Sequence, residues 1–358
     1  MLYREAGQFK TSYAADQSVF PLVEDRIGMA ATLLVAAAVI PAIGGDFLLN
    51  GVMIPFLIFA LATVGLNLLV GYAGQLSLGT GAFMGVGAYA CYKLTTHFPD
   101  VNIVLLIVCS GFFSAAAGIA FGLPSLRIKG FYLVVATLAA QFFFEWAFIR
   151  VGWLYNDNPS GAIEVPSREM LGIAITGAAA TSTTRYCVVL AIVILMTWLA
   201  SNLVRGRYGR AWMMVRDMDI AAELMGVPML RTKLLAFAVS SFYCGVAGAM
   251  MVFLWYGSAE PSAFSIRVSF QVLFMVIIGG MGSLLGSFFG AAFIWAFPIL
   301  LRLMPELLGL KIESQAVDQL AQIVFGALIV LFLIVEPHGL ARLWILAKQK
   351  LRVWPFPY

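Results

Sequence analysis

Glu145 is the only acid well inside an apolar run, in Gln141-Phe-Phe-Phe-Glu-Trp-Ala-Phe-Ile-Arg150. A charge at the centre of a bilayer costs about 2.5–3.5 kcal/mol on insertion scales, so an acid kept there reads first as functional. It could carry a proton along a pathway. It could equally be structural, bonded to Gln141 one turn away or reaching toward the interface, because it lies near the end of its run. Asn67, Gln75 and Ser77 are the other polar groups that could face a pathway, although Asn67 could instead bond a neighbouring helix. Other chemistry finds no support. The two histidines, His97 and His338, sit at the ends of apolar segments, and neither Gly-x-Ser-x-Gly nor His-Glu-x-x-His occurs, so no residue reads as catalytic. Cys91, Cys109, Cys187 and Cys244 stand alone in apolar runs and read as small buried hydrophobes. No cluster has metal-ligand spacing.

A second set of residues lies in the most charged segment, about 205–232. It reads Gly209-Arg-Ala-Trp-Met-Met-Val-Arg-Asp-Met-Asp-Ile-Ala-Ala-Glu-Leu-Met-Gly226-Val-Pro228. Asp217 or Asp219 can cap a helix by accepting from free backbone N–H groups. Gly226 suits the left-handed turn that ends a helix, and Pro228 prevents continuation. The short helix between them would present Ile220, Leu224 and Met225, with Arg205, Arg207, Arg210 and Arg216 around it. Such a helix can rest on anionic lipid or enter a groove on a partner.

The elements that must position these groups follow from composition. Of 358 residues, 62% belong to the AVILMFWYC set and only 11% are charged, where soluble domains carry about 25% charged residues. So few charges cannot cover a water-facing surface. Disorder, a nucleic-acid module and a secreted disulfide scaffold are excluded by the same numbers. Apolar stretches near 27–43, 47–71, 78–97, 102–123, 130–150, 185–204, 233–257, 268–285, 286–304 and 318–336 have membrane-spanning length. Ten spans are expected, with eight or nine plus a re-entrant piece as the alternative. Lipid leaves no water to satisfy a broken backbone, so the spans should be helices, and Leu33 to Ile40 lacks the alternation of a barrel strand. The fold class is therefore all-α, a polytopic transmembrane helix bundle spanning 27–336.

Residues 1–26 read as a polar tail, not a cleavable signal, and residues 337–358 as a short basic tail. With ten spans and an internal N-terminus, most of the 22 basic residues fall on the cytoplasmic side. Both termini are thus expected inside, with an external loop at about 151–184 long enough for a docking helix. Gly71-Tyr-Ala-Gly74 and Gly279-Gly-Met-Gly282 form a faint internal repeat. Transporters are often built from duplicated bundles, but glycine-rich helices also arise independently where helices pack closely. The dense glycines from Gly71 to Gly87 allow the same two readings: close packing, or a broken helix that presents backbone to a cavity.

Ile220-Ala221-Ala222-x-x-x-Gly226 resembles the Glu-Ala-Ala, three residues, Gly pattern of ABC importer permeases. In that family the loop forms a coupling helix that docks on the ATP-hydrolysing subunit. The resemblance implies this role for Asp219, Ala221, Ala222, Glu223 and Gly226. Ile220 replaces the Glu, and Ala236-Phe-Ala-Val239 stands where many members have Ile-x-Leu-Pro, which points away from the maltose-type branch. Four blocks in order are similar to the LivM-type permeases for branched-chain amino acids. They are Gly65–Gly79, Leu126–Leu133, Gly209-Arg-Ala211 with its loop, and Ile277–Ser283. The resemblance covers roughly 50–340.

What it implies is one of two different permease subunits in a bacterial inner membrane. Its partners would be two cytoplasmic ABC ATPase subunits and a periplasmic substrate-binding protein. The cargo would be branched-chain amino acids, with urea or a short-chain amide as the alternative. No Gly-Lys pair occurs anywhere, so a Walker A loop is absent and ATP belongs to the partners, with no cofactor in this chain. A proton-coupled secondary transporter using Glu145 is the competing reading, and it leaves the 205–232 helix without a task.

Overall fold

In a computed structural model, residues 11–12, 23–125, 132–158, 162–170, 173–177, 179–307 and 339–353 are described, with scattered positions between 323 and 334. Helix α1 runs over Val23–Leu34 and continues through a wider π-helical turn, Val35–Val39, to Ile40–Ile43. Helix α2 (Ile54–Asn67) is flanked by π-helical turns at Phe47–Met53 and Leu68–Tyr72. Then follow α3 (Thr80–His97), α4 (Ile103–Ser125), α5 (Tyr132–Arg150) and α6 (Ser182–Arg205). The charged segment forms α7 (Arg207–Asp217) and α8 (Asp219–Leu224). Helices α9 (Met229–Met250, extended by a π turn to Tyr256), α10 (Ile266–Gly279), α11 (Leu284–Leu307) and α12 (Gly339–Val353) complete the bundle.

Among the described residues, seven helical segments are long and apolar enough to cross a membrane. A helix stands at nine of the ten expected spans. The expectation at 318–336 falls almost wholly outside the described residues, as does 126–131 of the second family-like block. Two expectations are corrected. First, 78–97 is a helix, but Thr80–His97 is not among the segments apolar enough to span. It packs inside the bundle against α9 and α4, and a helix shielded from lipid by its neighbours needs no apolar coat of its own. Second, the junction expected at 285/286 lies at Gly280–Ser283. There Gly280 (φ 116°) and Gly282 (φ 79°) adopt positive φ, which ends α10 early at little cost only because glycine has no Cβ.

Helices α2 and α9 form the centre of the bundle; from Ile54 to Asn67 every described side chain of α2 except Phe56 is buried. The outer helices α4, α5 and α6 turn Phe112, Phe113, Trp146, Ile149 and Trp198 outward, as lipid-facing surfaces require. Small residues let the inner helices approach closely. A Cβ on Gly87 would lie 2.1 Å from the Gly245 carbonyl oxygen, and one on Gly248 only 1.9 Å from that of Met84. The α2 start shows how a missing donor is absorbed. Pro55 has no N–H to give Gly51 O four residues back, and the Trp295 indole N–H donates to that carbonyl at 3.1 Å instead.

At one end of the bundle the 151–184 loop contains no docking helix among its described residues. It forms a 3₁₀ turn at Gly152–Tyr155 and short strands β1 (Ile163–Glu164), β2 (Arg168–Met170) and β3 (Ile173–Thr176). β2 and β3 pair antiparallel, and β1 pairs with β4 (Ser258–Ala259) in the register Ile163↔Ala259. Arg168 fastens the loop to the bundle by donating to the carbonyls of Thr95 (2.7 Å) and Pro99.

Candidate functional site

The opposite end carries the charged segment, and its geometry starts from one sharp corner. A Cβ on Gly209 would meet Val204 O at 1.9 Å, so only glycine lets α7 fold back against the end of α6. Trp212 then inserts fully into the bundle and donates its indole N–H to Thr232 O at 3.1 Å. Anchored this way, α7 delivers α8 beyond the end of the bundle.

Neither Asp217 nor Asp219 caps α8. The cap position is Met218 in extended backbone (φ −152°, ψ 95°), without a side-chain bond. Asp219 sits one residue inside the helix, and its Oδ1 accepts from the Ile220 N–H at 2.9 Å. An acid in the first turn still complements the positive end of the helix. The other terminus follows the expectation. Gly226 has φ 83°, its N–H donates to Glu223 O, and the Val227 N–H donates to Ala222 O, both at 3.0 Å. These two bonds make the Schellman closure that a left-handed glycine permits. Ala222 is fully buried, and Ala221 and Glu223 flank it. The outward face is apolar: Met218, Ile220, Leu224 and Met225 are 71%, 70%, 85% and 64% exposed.

Beneath α8 lie the two glycine motifs, each of which ends one helix and starts the next. Both turns use a left-handed glycine, Gly74 (φ 67°) and Gly282 (φ 79°). They meet backbone to backbone, since a Cβ on Gly71 would lie 2.1 Å from Gly282 N. Asn67, fully buried, holds them together. Its Nδ2 donates to Ser283 O (2.8 Å), Ser287 Oγ (2.9 Å) and Gly280 O (3.4 Å), and its Oδ1 accepts from Gly282 N (2.8 Å). Both readings of the dense glycines therefore hold in different places. Gly87 serves close packing, and Gly71–Gly79 forms a broken helix.

The broken segment 73–79 carries the other pathway candidates. Ser77 is buried and accepts from Gly79 N at 3.3 Å. Gln75 is 5% exposed, and neither of its side-chain polar atoms has a partner among the described residues. A cleft of about 590 Å³ opens between this segment and the charged loop, lined by Gly74, Gln75, Arg216, Asp219, Ile220 and Lys233 among others. Gln75, Asp219 and Ala221 thus share one site, with Asn67 one layer deeper. Glu145 is not brought to it. It lies half-buried on α5, and of its alternative readings the bond to Gln141 does not form, because Gln141 is used elsewhere. The Gln141 amide accepts from Ala82 N (2.7 Å) and Ser269 Oγ (3.0 Å) and donates to Phe264 O (2.7 Å). With Ser269 Oγ taking Gly81 N at 2.8 Å, these side chains satisfy the first-turn donors that every helix leaves open.

Comparison with known proteins agrees with this architecture. The family described as branched-chain amino acid transport system, permease component, matches residues 48–333. The chain belongs to that family. It is a multi-pass membrane permease of the ABC importer class. The high-affinity branched-chain amino acid transport system permease protein LivM of Escherichia coli K12 is 30% identical over 307 residues, covering 79% of this chain and 68% of the relative. Its Salmonella typhimurium counterpart matches equally. The fructose import permease protein FrcC of Rhizobium meliloti is 32% identical over 145 residues, 37% of this chain and 39% of its own. No solved structure matches the permease.

The partners of Asn67 and the role of Gln141 escaped the sequence reading. Asn67 to Ser287 spans 220 positions, and no local pattern announces such a pair. The available signal was the glycine repeat itself, since two like breaks invite a contact between them.

Proposed function

We propose that the permease is one membrane subunit of an ATP-driven importer that moves branched-chain amino acids inward. The single observation that carries this is α8: a capped, anchored helix that holds Met218, Ile220, Leu224 and Met225 out to solvent at one end of the bundle. An exposed apolar knob of this size fits a groove on another protein. With no phosphate-cradling Gly-Lys in the chain, the partner it fits is an ATPase, and α8 with Asp219, Ala221, Ala222, Glu223 and Gly226 is the docking element. The α8 end then faces the cytoplasm, as do both termini, in a bacterial inner membrane. Two ATPase subunits, a second permease and a periplasmic binding protein complete the transporter. Asn67, Gln75 and Ser77, set at the broken helix, are the pathway residues closest to the docking element. The cargo assignment rests on the names of the LivM relatives.

The test is co-purification from the native membrane. The Ile220→Asp/Leu224→Asp variant should lose the ATPase while the permease itself still purifies folded, and leucine uptake should fall to background. Retention of the ATPase by that variant, or leucine uptake by the permease alone in vesicles without nucleotide, would overturn the proposal.

A further inference from the structure

Helix α2 and its π turn end at the Gly71–Gly74 break, and the carbonyls there lose their usual donors. The Gln75 N–H, which would serve Gly71 O in a continuing helix, donates to Leu69 O at 3.0 Å instead. Gly71 O is taken by the Arg216 guanidinium, Nη1 to O at 2.7 Å. The same guanidinium is aimed by its other edge, since Nε donates to Asp217 Oδ1 at 2.8 Å. It occupies space that side chains would fill. A Cβ on Gly74 would lie 2.9 Å from Arg216 Cγ, and one on Gly282 would touch Nη1 at 3.4 Å. A cation at the negative end of a helix dipole, making a charge-assisted bond to an orphan carbonyl, is a favoured arrangement. Here that cation belongs to the last turn of α7, three residues before α8 begins.

We propose that Arg216 is a positioning residue that ties the α7–α8 loop to the paired glycine breaks, so that displacement of α8 is passed to α2, α10 and α11 together. Asn67 makes the two breaks one body, and Arg216 makes the loop part of that body. The proposal rests on the docking role of α8, and it adds that docking and transmission are separable. Asp217 fixes the guanidinium plane; a lysine at 216 could reach Gly71 O but could not hold both partners in that fork.

The experiment uses the complete transporter, purified with its ATPases and reconstituted in liposomes, with leucine uptake and ATP hydrolysis measured on the same preparation. Arg216→Gln should keep the ATPases bound and lower leucine moved per ATP hydrolysed at least tenfold. Arg216→Lys should recover part of that loss, and Asp217→Asn should lose a smaller factor of about threefold. Where the Arg216→Gln permease fails to fold, Asp217→Asn, whose side chain is exposed, gives the deciding ratio. Unchanged leucine per ATP in the assembled variants overturns the proposal. Loss of the ATPases from a variant permease that still purifies folded also overturns it, because Arg216 would then serve docking. A wild-type preparation that carries no ATPase at all instead overturns the docking role beneath it.

Discussion

At the scale of single residues, Asn67 concentrates the most structure in one side chain. Removing it strands the part-buried N–H of Gly282 and takes the amide donor from Ser287 Oγ, while Ser283 O keeps the Ser287 N–H and hydroxyl. Each buried polar group left unpaired costs about 1–3 kcal/mol. Asn67→Ala should therefore lower the thermal unfolding midpoint of the detergent-purified permease by several degrees. Asn67→Asp should cost more, since it turns an acceptor toward carbonyl oxygens. A melting point within a degree of wild type for both would contradict the clamp. The polar candidates were legible one by one, because an amide or an acid in an apolar run is conspicuous. Their partners were not, and Gln141 shows why. A residue one turn from Gln141 looks like its partner in sequence, whereas the Gln141 amide is committed to the start of α3 and to Phe264.

At the scale of elements, lipid imposes a length of about 20 apolar residues on any spanning helix, so helix existence and order could be read directly. Boundaries could not be read where a break is apolar. Gly280 to Ser283 contains no charge and interrupts no hydropathy run, so the end of α10 shows only in backbone angles. Packing between elements is equally silent, and glycine is where it can be tested. Gly248→Ala places a methyl 1.9 Å from the Met84 backbone, where no side chain can move aside. Separation of α3 from α9 should reduce the folded yield and the melting point markedly. Gly28→Ala, with nothing within 4 Å, should leave both unchanged and serves as the control in fluorescence-detected size exclusion.

At the scale of the whole molecule, the two ends differ in kind. One is sealed by short strands and the Arg168 fastening, and the other projects α8. Placing the α8 end in the cytoplasm predicts a labelling pattern. In a Cys187→Ser background, which removes the exposed native thiol, Leu224→Cys should resist a membrane-impermeant maleimide in intact cells and react in inside-out vesicles. Trp153→Cys, 63% exposed at the other end, should show the reverse. Swapped reactivities would invert the proposed topology. The charge asymmetry that suggested this orientation depends on an even span number, and the span expected at 318–336 lies almost wholly outside the described residues, so the labelling pattern is its test.

Helix α12 begins at Gly339 (φ 71°), where a Cβ would lie 2.6 Å from Gly280 N and 2.7 Å from Ile278 O. The final helix is thus seated by its first residue on the same turn that Asn67 grips. A fluorescent reporter or affinity handle appended beyond residue 353 would tug on that seat through a rigid lever. The other terminus, attached to a helix whose spanning window the rest of the bundle leaves uncovered, is the gentler place to mount one.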